Sequence, residues 1–112
     1  MSAEASSGAA APDFARVLKL AELPPGAKKI VDVGGTCVLL CNAAGSVHAI
    51  SNTCTHAEKP LERGRIGNGW IACPAHGARF ELATGKALNL PATKPIATYA
   101  TRIVDEWIEV QA

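Results

Sequence analysis

Two short stretches of the chain each set a soft thiol beside an imidazole. The first is Cys54-Thr55-His56, and the second, sixteen residues further on, is Cys73-Pro74-Ala75-His76-Gly77. Two thiolates and two imidazoles make a complete four-ligand set for a metal centre. One centre that takes such a set is a structural zinc, held tetrahedrally by Cys2His2. The other is a [2Fe-2S] cluster in which two His replace two Cys on one of the irons. Cys-x-His is tighter than the usual ligand spacing of zinc fingers, which favours the cluster. The replacement also has a consequence for charge. Two ferric ions, two sulfides and two thiolates sum to zero, whereas four thiolates leave minus two, and the less negative cluster accepts an electron more readily. One-electron transfer is the chemistry these residues suit.

The backbone around the second pair follows from its residues. Pro74 stiffens the loop and Gly77 lets the main chain turn sharply beside the metal, and amides in such loops can donate to cluster sulfurs. Other residues of suggestive type have plainer explanations. Cys37 and Cys41 lie four apart on an expected strand, roughly 13 Å between Cα atoms, too far for a disulfide. They are read as buried structural thiols. His48 sits in the alternating run Val47-His48-Ala49-Ile50 without a neighbouring cysteine or carboxylate cluster, so it is read as a surface or packed side chain. Trp70 and Trp107 each fall in a short apolar strand-like run, which points to packing. Lys59, Arg63, Arg65 and Arg79 gather around the ligand segments, either as a rim for an acidic partner or as a solvated surface.

The elements that must position these residues are read as strands. Phe14 to Leu20 is strand-like, and Lys28 to Val33 pairs with Thr36 to Cys41 through Gly34-Gly35, a two-residue hairpin signal. Asn42 to Gly45 then turns the chain into Val47 to Ile50. Trp70 to Cys73 and Arg79 to Leu82 are short strands, with Ala83 to Lys86 as a closing turn. Ile96 to Val104 and Trp107 to Val110 form the last hairpin, turning at Asp105-Glu106. No segment sustains helical spacing with caps at both ends, although Leu18 to Leu23 is too short to judge by periodicity. The expected class is all-β, with loops carrying the chemistry.

Size and composition set further bounds. At 112 residues and 48% hydrophobic content, the chain suits one domain with a modest core. Residues 1–13 are dominated by small residues without apolar periodicity and are read as a disordered tail, leaving 14–112 as the domain. The formal net charge of +1 gives no electrostatic footprint for nucleic acid, and no window approaches a membrane span. Four cysteines without a secretory signal argue for a reducing compartment, hence the cytoplasm.

The flanks of the ligand pairs add a resemblance. SNTCTH, PLERGRI, GWIACPAHGARFELATGKAL, Pro91, Pro95 and the final WIEV together resemble a Rieske ferredoxin of a bacterial ring-hydroxylating dioxygenase system. The likeness runs from about Phe14 to Val110. It implies a Rieske fold of three stacked antiparallel sheets, with a cluster-binding subdomain formed by two loops. It also implies that Cys54 and Cys73 hold the inner iron, and that His56 and His76 hold the outer, more exposed one. The partners implied are a flavin-containing NAD(P)H ferredoxin reductase, which supplies the electron, and the terminal Rieske oxygenase, which receives it. The carrier itself performs no substrate chemistry.

Respiratory Rieske proteins differ at telling places. They have cysteines where Lys59 and Ala75 stand, forming a disulfide that this chain cannot make. They place Ser where Ala78 stands and Tyr where Phe80 stands. Without those two hydroxyl donors the added electron is less stabilised, and the potential is expected toward the lower end of the roughly −150 to +300 mV Rieske window. A small Rieske-type subunit of a nitrite-reductase-like complex is the alternative, weakened because many such subunits lack some of the ligands. A terminal oxygenase is excluded, since its mononuclear iron needs a separate 2-His-1-carboxylate site and only His48 remains after the ligands are assigned.

Overall fold

The structure, a computed structural model, describes residues 14–52, 60–74, 77–89 and 94–112. The N-terminal segment 1–13 therefore lies outside the described residues. Eight strands follow in chain order: β1 Ala15–Lys19, β2 Lys28–Val33, β3 Thr36–Ala43, β4 Ser46–Ser51, β5 Trp70–Ala72, β6 Arg79–Glu81, β7 Thr98–Val104 and β8 Trp107–Gln111. Two single turns of 3-10 helix, Leu20–Glu22 and Leu61–Arg63, are the helical content among the described residues.

Six strands form one antiparallel sheet in the order β1-β8-β7-β4-β3-β2. It consists of two three-stranded sheets joined edge to edge, where Ala49 pairs with Tyr99 and Ile50 with Thr98. β5 and β6 form the third, smaller sheet. Leu18 of edge strand β1 and Val33 of edge strand β2 share one apolar cluster with Val38, Leu40, Ile108 and Val110, so the large sheet curls around its own core. A second core fills the space between that sheet and the small one, with Leu39, Cys41, Ala43 and Ile50 on one side and Ile71, Phe80 and Leu82 on the other. β3 serves both. Its side chains alternate, Val38 and Leu40 entering the first core and Leu39 and Cys41 the second, which is why Val38-Leu39-Leu40-Cys41 is a continuous apolar run. Each fully buried Leu or Ile in these cores contributes on the order of 1.5–3 kcal/mol of transfer free energy.

Turn chemistry fixes the hairpins. Gly34 and Gly35 have φ of 57° and 90°, the double left-handed turn that matches strand twist. Asp105 and Glu106 adopt the same sign of φ without glycine, at 51° and 67°. Arg16, Glu109 and Arg102 lie side by side on β1, β8 and β7. The buried Glu109 carboxylate accepts from Arg102 Nε at 2.7 Å and from Arg16 Nε at 3.1 Å. The Arg102 hydrogen bond, with that of Arg16, holds this carboxyl below the usual carboxylate range against the opposing effect of burial.

Three expectations need correction. Asn42 belongs to β3, and the turn is confined to Ala44-Gly45. The Asn42 side chain is buried, its Nδ2 donating to Leu23 O at 2.7 Å and its Oδ1 accepting from Gly45 N at 2.9 Å, so it works as a bracket inside the strand. β7 begins at Thr98, since Ile96 is buried in the second core and its amide donates to Gly85 O at 2.8 Å. Cys37 is exposed, not buried. It shares the face of Leu39 and Cys41 but stands next to the Gly34-Gly35 turn, beyond the reach of the layer that covers them.

Candidate metal centre

The small sheet is longer than its two strands. Arg65 O accepts from Ala72 N and Trp70 O from Gly67 N, both at 2.9 Å, adding residues 65–67 beside β5. Likewise Arg79 O accepts from Leu88 N and Lys86 O from Glu81 N, both at 2.8 Å, adding 86–88 beside β6. Bridges Ile66 to Ile71 and Phe80 to Ala87 complete the register. Alternation then puts Ile66, Ile71, Phe80 and Ala87 on the inward side, against the second core.

Cys73 continues that inward register, two residues beyond Ile71. It is 1% exposed and packs in the core with Leu61, Ala78 and Phe80. Its amide donates to Ala78 O at 2.6 Å, and Gly77 N donates to Cys73 O at 2.9 Å, closing a tight loop between β5 and β6. Gly77 has φ of 72°, the left-handed conformation in which a side chain would be strained. Pro74 stands exposed beside it.

The other ligand segment is held at its neck. Chain leaving β4 reaches Asn52, whose backbone carbonyl accepts from Leu61 N at 2.7 Å. The Asn52 side chain accepts from Glu62 N at 3.0 Å and donates to Glu62 Oε1 at 3.3 Å. Leu61, fully buried, plugs the turn into the same core as Cys73. Gly64 then passes so close to β5 that a Cβ there would lie 1.9 Å from Ala72 O. The Lys28 ammonium of β2 donates to Gly64 O and ties this crossing to the large sheet.

Of the four expected ligands, Cys73 lies buried just past the end of β5, which stops at Ala72, while Cys54, His56 and His76 lie outside the described residues. Among the described residues no cluster of three metal-ligating side chains occurs. Two thiols other than Cys73 stand apart. Burial pushes the Cys41 thiol up to about 12, partly offset by the Lys28 charge, which leaves it protonated at neutral pH. Cys37 is on the surface. His48, opposite Cys41 on β4, is half-buried and lines an open groove with Leu82, Thr98, Tyr99 and Thr101. Desolvation lowers its pKa, so it is a neutral packed side chain, as expected. Asn52, Gly64 and Lys28 escaped the sequence reading. Asn52 and Gly64 lie within the quoted flanks, but Lys28 is 36 residues from its acceptor and carries no local signal.

The donor chemistry fits an iron-sulfur cluster better than an exposed ion site. Cys73 offers a thiol that is buried and in no disulfide. A buried thiol suits the protein-embedded iron, and the two segments carrying the remaining donors enter and leave beside one core.

Comparison with known proteins agrees with that geometry. Residues 13–100 match the family described as Rieske [2Fe-2S] domain. The ferredoxin component of the naphthalene 1,2-dioxygenase/salicylate 5-hydroxylase systems of a Ralstonia species is 38% identical over 84 residues, 75% of this chain and 81% of that protein. The ferredoxin of carbazole 1,9a-dioxygenase from Nocardioides aromaticivorans superposes with a TM-score of 0.83 at 36% identity, covering 88% of this chain and 96% of that one. A chain from a complex of reduced oxygenase and oxidised ferredoxin of carbazole 1,9a-dioxygenase superposes with a TM-score of 0.81 at 25% identity, covering 88% of this chain and 92% of that one. Structures described as nitrite reductase small subunits superpose at 24% identity, a likeness of fold alone.

Proposed function

This chain belongs to the Rieske [2Fe-2S] domain family, and from that premise we propose that it is the ferredoxin component of a ring-hydroxylating dioxygenase system. It passes single electrons from a flavin-containing NAD(P)H ferredoxin reductase to the Rieske centre of a terminal oxygenase. It is an electron-transfer component, not itself a catalyst, and binds one [2Fe-2S] cluster. The observation that carries the proposal is Cys73, a buried thiol at the end of an inward-facing strand, set in a four-ligand motif that supplies two thiols and two imidazoles.

Cys54 and Cys73 would hold the inner iron, and His56 and His76 the outer one. The cluster supplies reversible one-electron reduction when bound. The protein's part is to fix its surroundings. The backbone hydrogen bonds of Cys73 with Ala78 and Gly77 hold Cys73 against the core, Asn52 and Leu61 fix the neck of the other segment, and the apolar core of Phe80, Ile71 and Leu61 keeps water from the inner side. Residues 14–112 act as one domain, supported by β3 serving both cores. Unpaired thiols at Cys37 and Cys41 support the reducing cytoplasm as its location. Among the described residues no helix is long and apolar enough to cross a membrane. The nitrite-reductase alternative rests on fold likeness alone.

Protein purified without air should be red-brown, contain iron and acid-labile sulfide in equal amounts, and show an EPR signal only when reduced. His56→Ala and His76→Ala should each abolish that spectrum, and His48→Ala should leave it intact. Colourless protein stoichiometric in zinc, or loss of the spectrum in the His48 variant, would end the assignment.

A further inference from the structure

The small sheet has an outward face, which neither hydrophobic core reaches among the described residues. The register that sends Ile66, Ile71, Phe80 and Ala87 into the core sends Arg65, Trp70, Arg79, Glu81, Lys86 and Leu88 to the outside. Trp70 occupies its middle, half-buried, with its ring lying flat across Gly67. A Cβ at Gly67 would sit 2.0 Å from that ring, so glycine is what lets the indole lie down. The Arg79 guanidinium stands 4.3 Å from the ring centroid and that of Arg65 5.5 Å, one from each neighbouring strand. Leu88, next to Arg79 in the register, is 47% exposed.

The charges on this face are unbalanced. Glu81 is its carboxylate, and that side chain already accepts from the Thr84 hydroxyl at 2.5 Å. Among the described residues, Arg65, Arg79 and Lys86 make no ion pair, the paired carboxylate being Glu109 of β8. A large aromatic side chain held rigid by two arginines, beside an exposed leucine and a surplus of positive charge, has the composition of an interface centre and not of an ordinary solvated surface. The face also lies next to the expected metal centre, because Arg79 on it pairs with Ala72, the residue before Cys73.

We propose that this outward face is the surface on which the electron-accepting oxygenase docks, through an acidic patch that pairs with Arg65, Arg79 and Lys86 and an apolar spot that covers Trp70 and Leu88. The inference rests on the ferredoxin assignment above. The oxygenase is the chosen occupant because a chain of this fold has been solved in a complex of oxygenase and ferredoxin. Opposite charge steers the encounter and weakens with salt, as the Debye length shrinks from about 10 Å at 0.1 M to 3 Å at 1 M.

The test measures transfer from the reduced holoprotein to purified terminal oxygenases of the naphthalene, biphenyl and carbazole dioxygenases, using whichever the wild type reduces fastest. Arg65→Glu with Arg79→Glu should slow the second-order rate at least tenfold at low ionic strength and abolish its fall with salt. Leu88→Asp, at a half-exposed position outside the core, should slow it as well. Lys29→Glu, an exposed charge reversal on edge strand β2, should not. The visible spectrum and midpoint potential of all variants should match the wild type, separating an encounter effect from a change in driving force. Rates indifferent to the double reversal would overturn the docking surface while leaving the ferredoxin assignment in place. Slowed reduction by a flavin reductase with unchanged transfer to the oxygenase would overturn it too, assigning the face to the reductase. If the wild type reduces none of the oxygenases, the ferredoxin assignment fails and the docking surface falls with it.

Discussion

At the scale of single residues, the proposed ligand role of Cys73 makes its surroundings the place where an added electron would be stabilised. Ala78 and Phe80 are both fully buried in the core that holds Cys73, and Ala78 is bonded to it through the backbone at 2.6 Å. Neither carries a hydroxyl, so both positions are apolar. Hydrogen bonds directed at cluster sulfurs or ligand thiolates favour the more negative reduced state. Ala78→Ser and Phe80→Tyr should each raise the midpoint potential, read by EPR-monitored redox titration. In apoprotein the same hydroxyls are buried without an assured partner, so each substitution should lower stability by about 1–3 kcal/mol in denaturant unfolding. Unchanged or lowered potentials in both variants would sink the hydrogen-bond account.

At the scale of elements, the metal centre depends on how closely the crossing at Gly64 approaches β5. A methyl group at Gly64 would stand 1.9 Å from Ala72 O, a clash with main chain that no rotamer change relieves. The crossing would have to lift, straining the Ala72 amide bond to Arg65 O and the Lys28 contact to Gly64 O together. Gly64→Ala should therefore destabilise the protein by about 2–3 kcal/mol and lower iron occupancy per chain. Gly26, with φ of 87° but nothing within 4 Å of its absent Cβ, is the control. Gly26→Ala pays for the backbone conformation alone, about 1 kcal/mol, and should keep full iron content. Equal iron loss in both variants would show that general destabilisation, not the crossing, empties the site.

At the scale of the whole molecule, two cores of different kinds share one sheet. The core inside the curled sheet contains no expected ligand and is closed by strands β1, β2, β3 and β8. The other core contains Cys73 and borrows one wall from the small sheet. Metal removal should then act unevenly. Hydrogen exchange on apoprotein should show protection kept in β1, β3 and β8, and lost by a hundredfold or more in residues 64–89, because local opening there no longer breaks metal bonds. Uniform loss of protection across both cores would mean that the cluster supports the entire fold.

The all-β class and the outlines of most strands were legible in the sequence, as was the motif from which the ligand set is proposed, because each is a local property. Cys-x-His and Cys-Pro-x-His are read within a few residues, and strand alternation repeats every two. Even the double burial of β3 was written in its unbroken apolar run. What the sequence could not disclose depended on neighbours far along the chain. Asn42 looked like a turn residue by type, and only the Leu23 carbonyl, 19 residues away, makes it a buried bracket. Cys37 and Cys41 are alike in type and face, and only the extent of the covering layer exposes one and buries the other. Lys28 gave no sign that it reaches Gly64. Trp70 read as packing, yet it carries an arginine from each neighbouring strand on an outward face. Alternation within the small sheet separates its two faces, but only the packing of Ile66, Ile71, Phe80 and Ala87 against the second core decides which of them stays open.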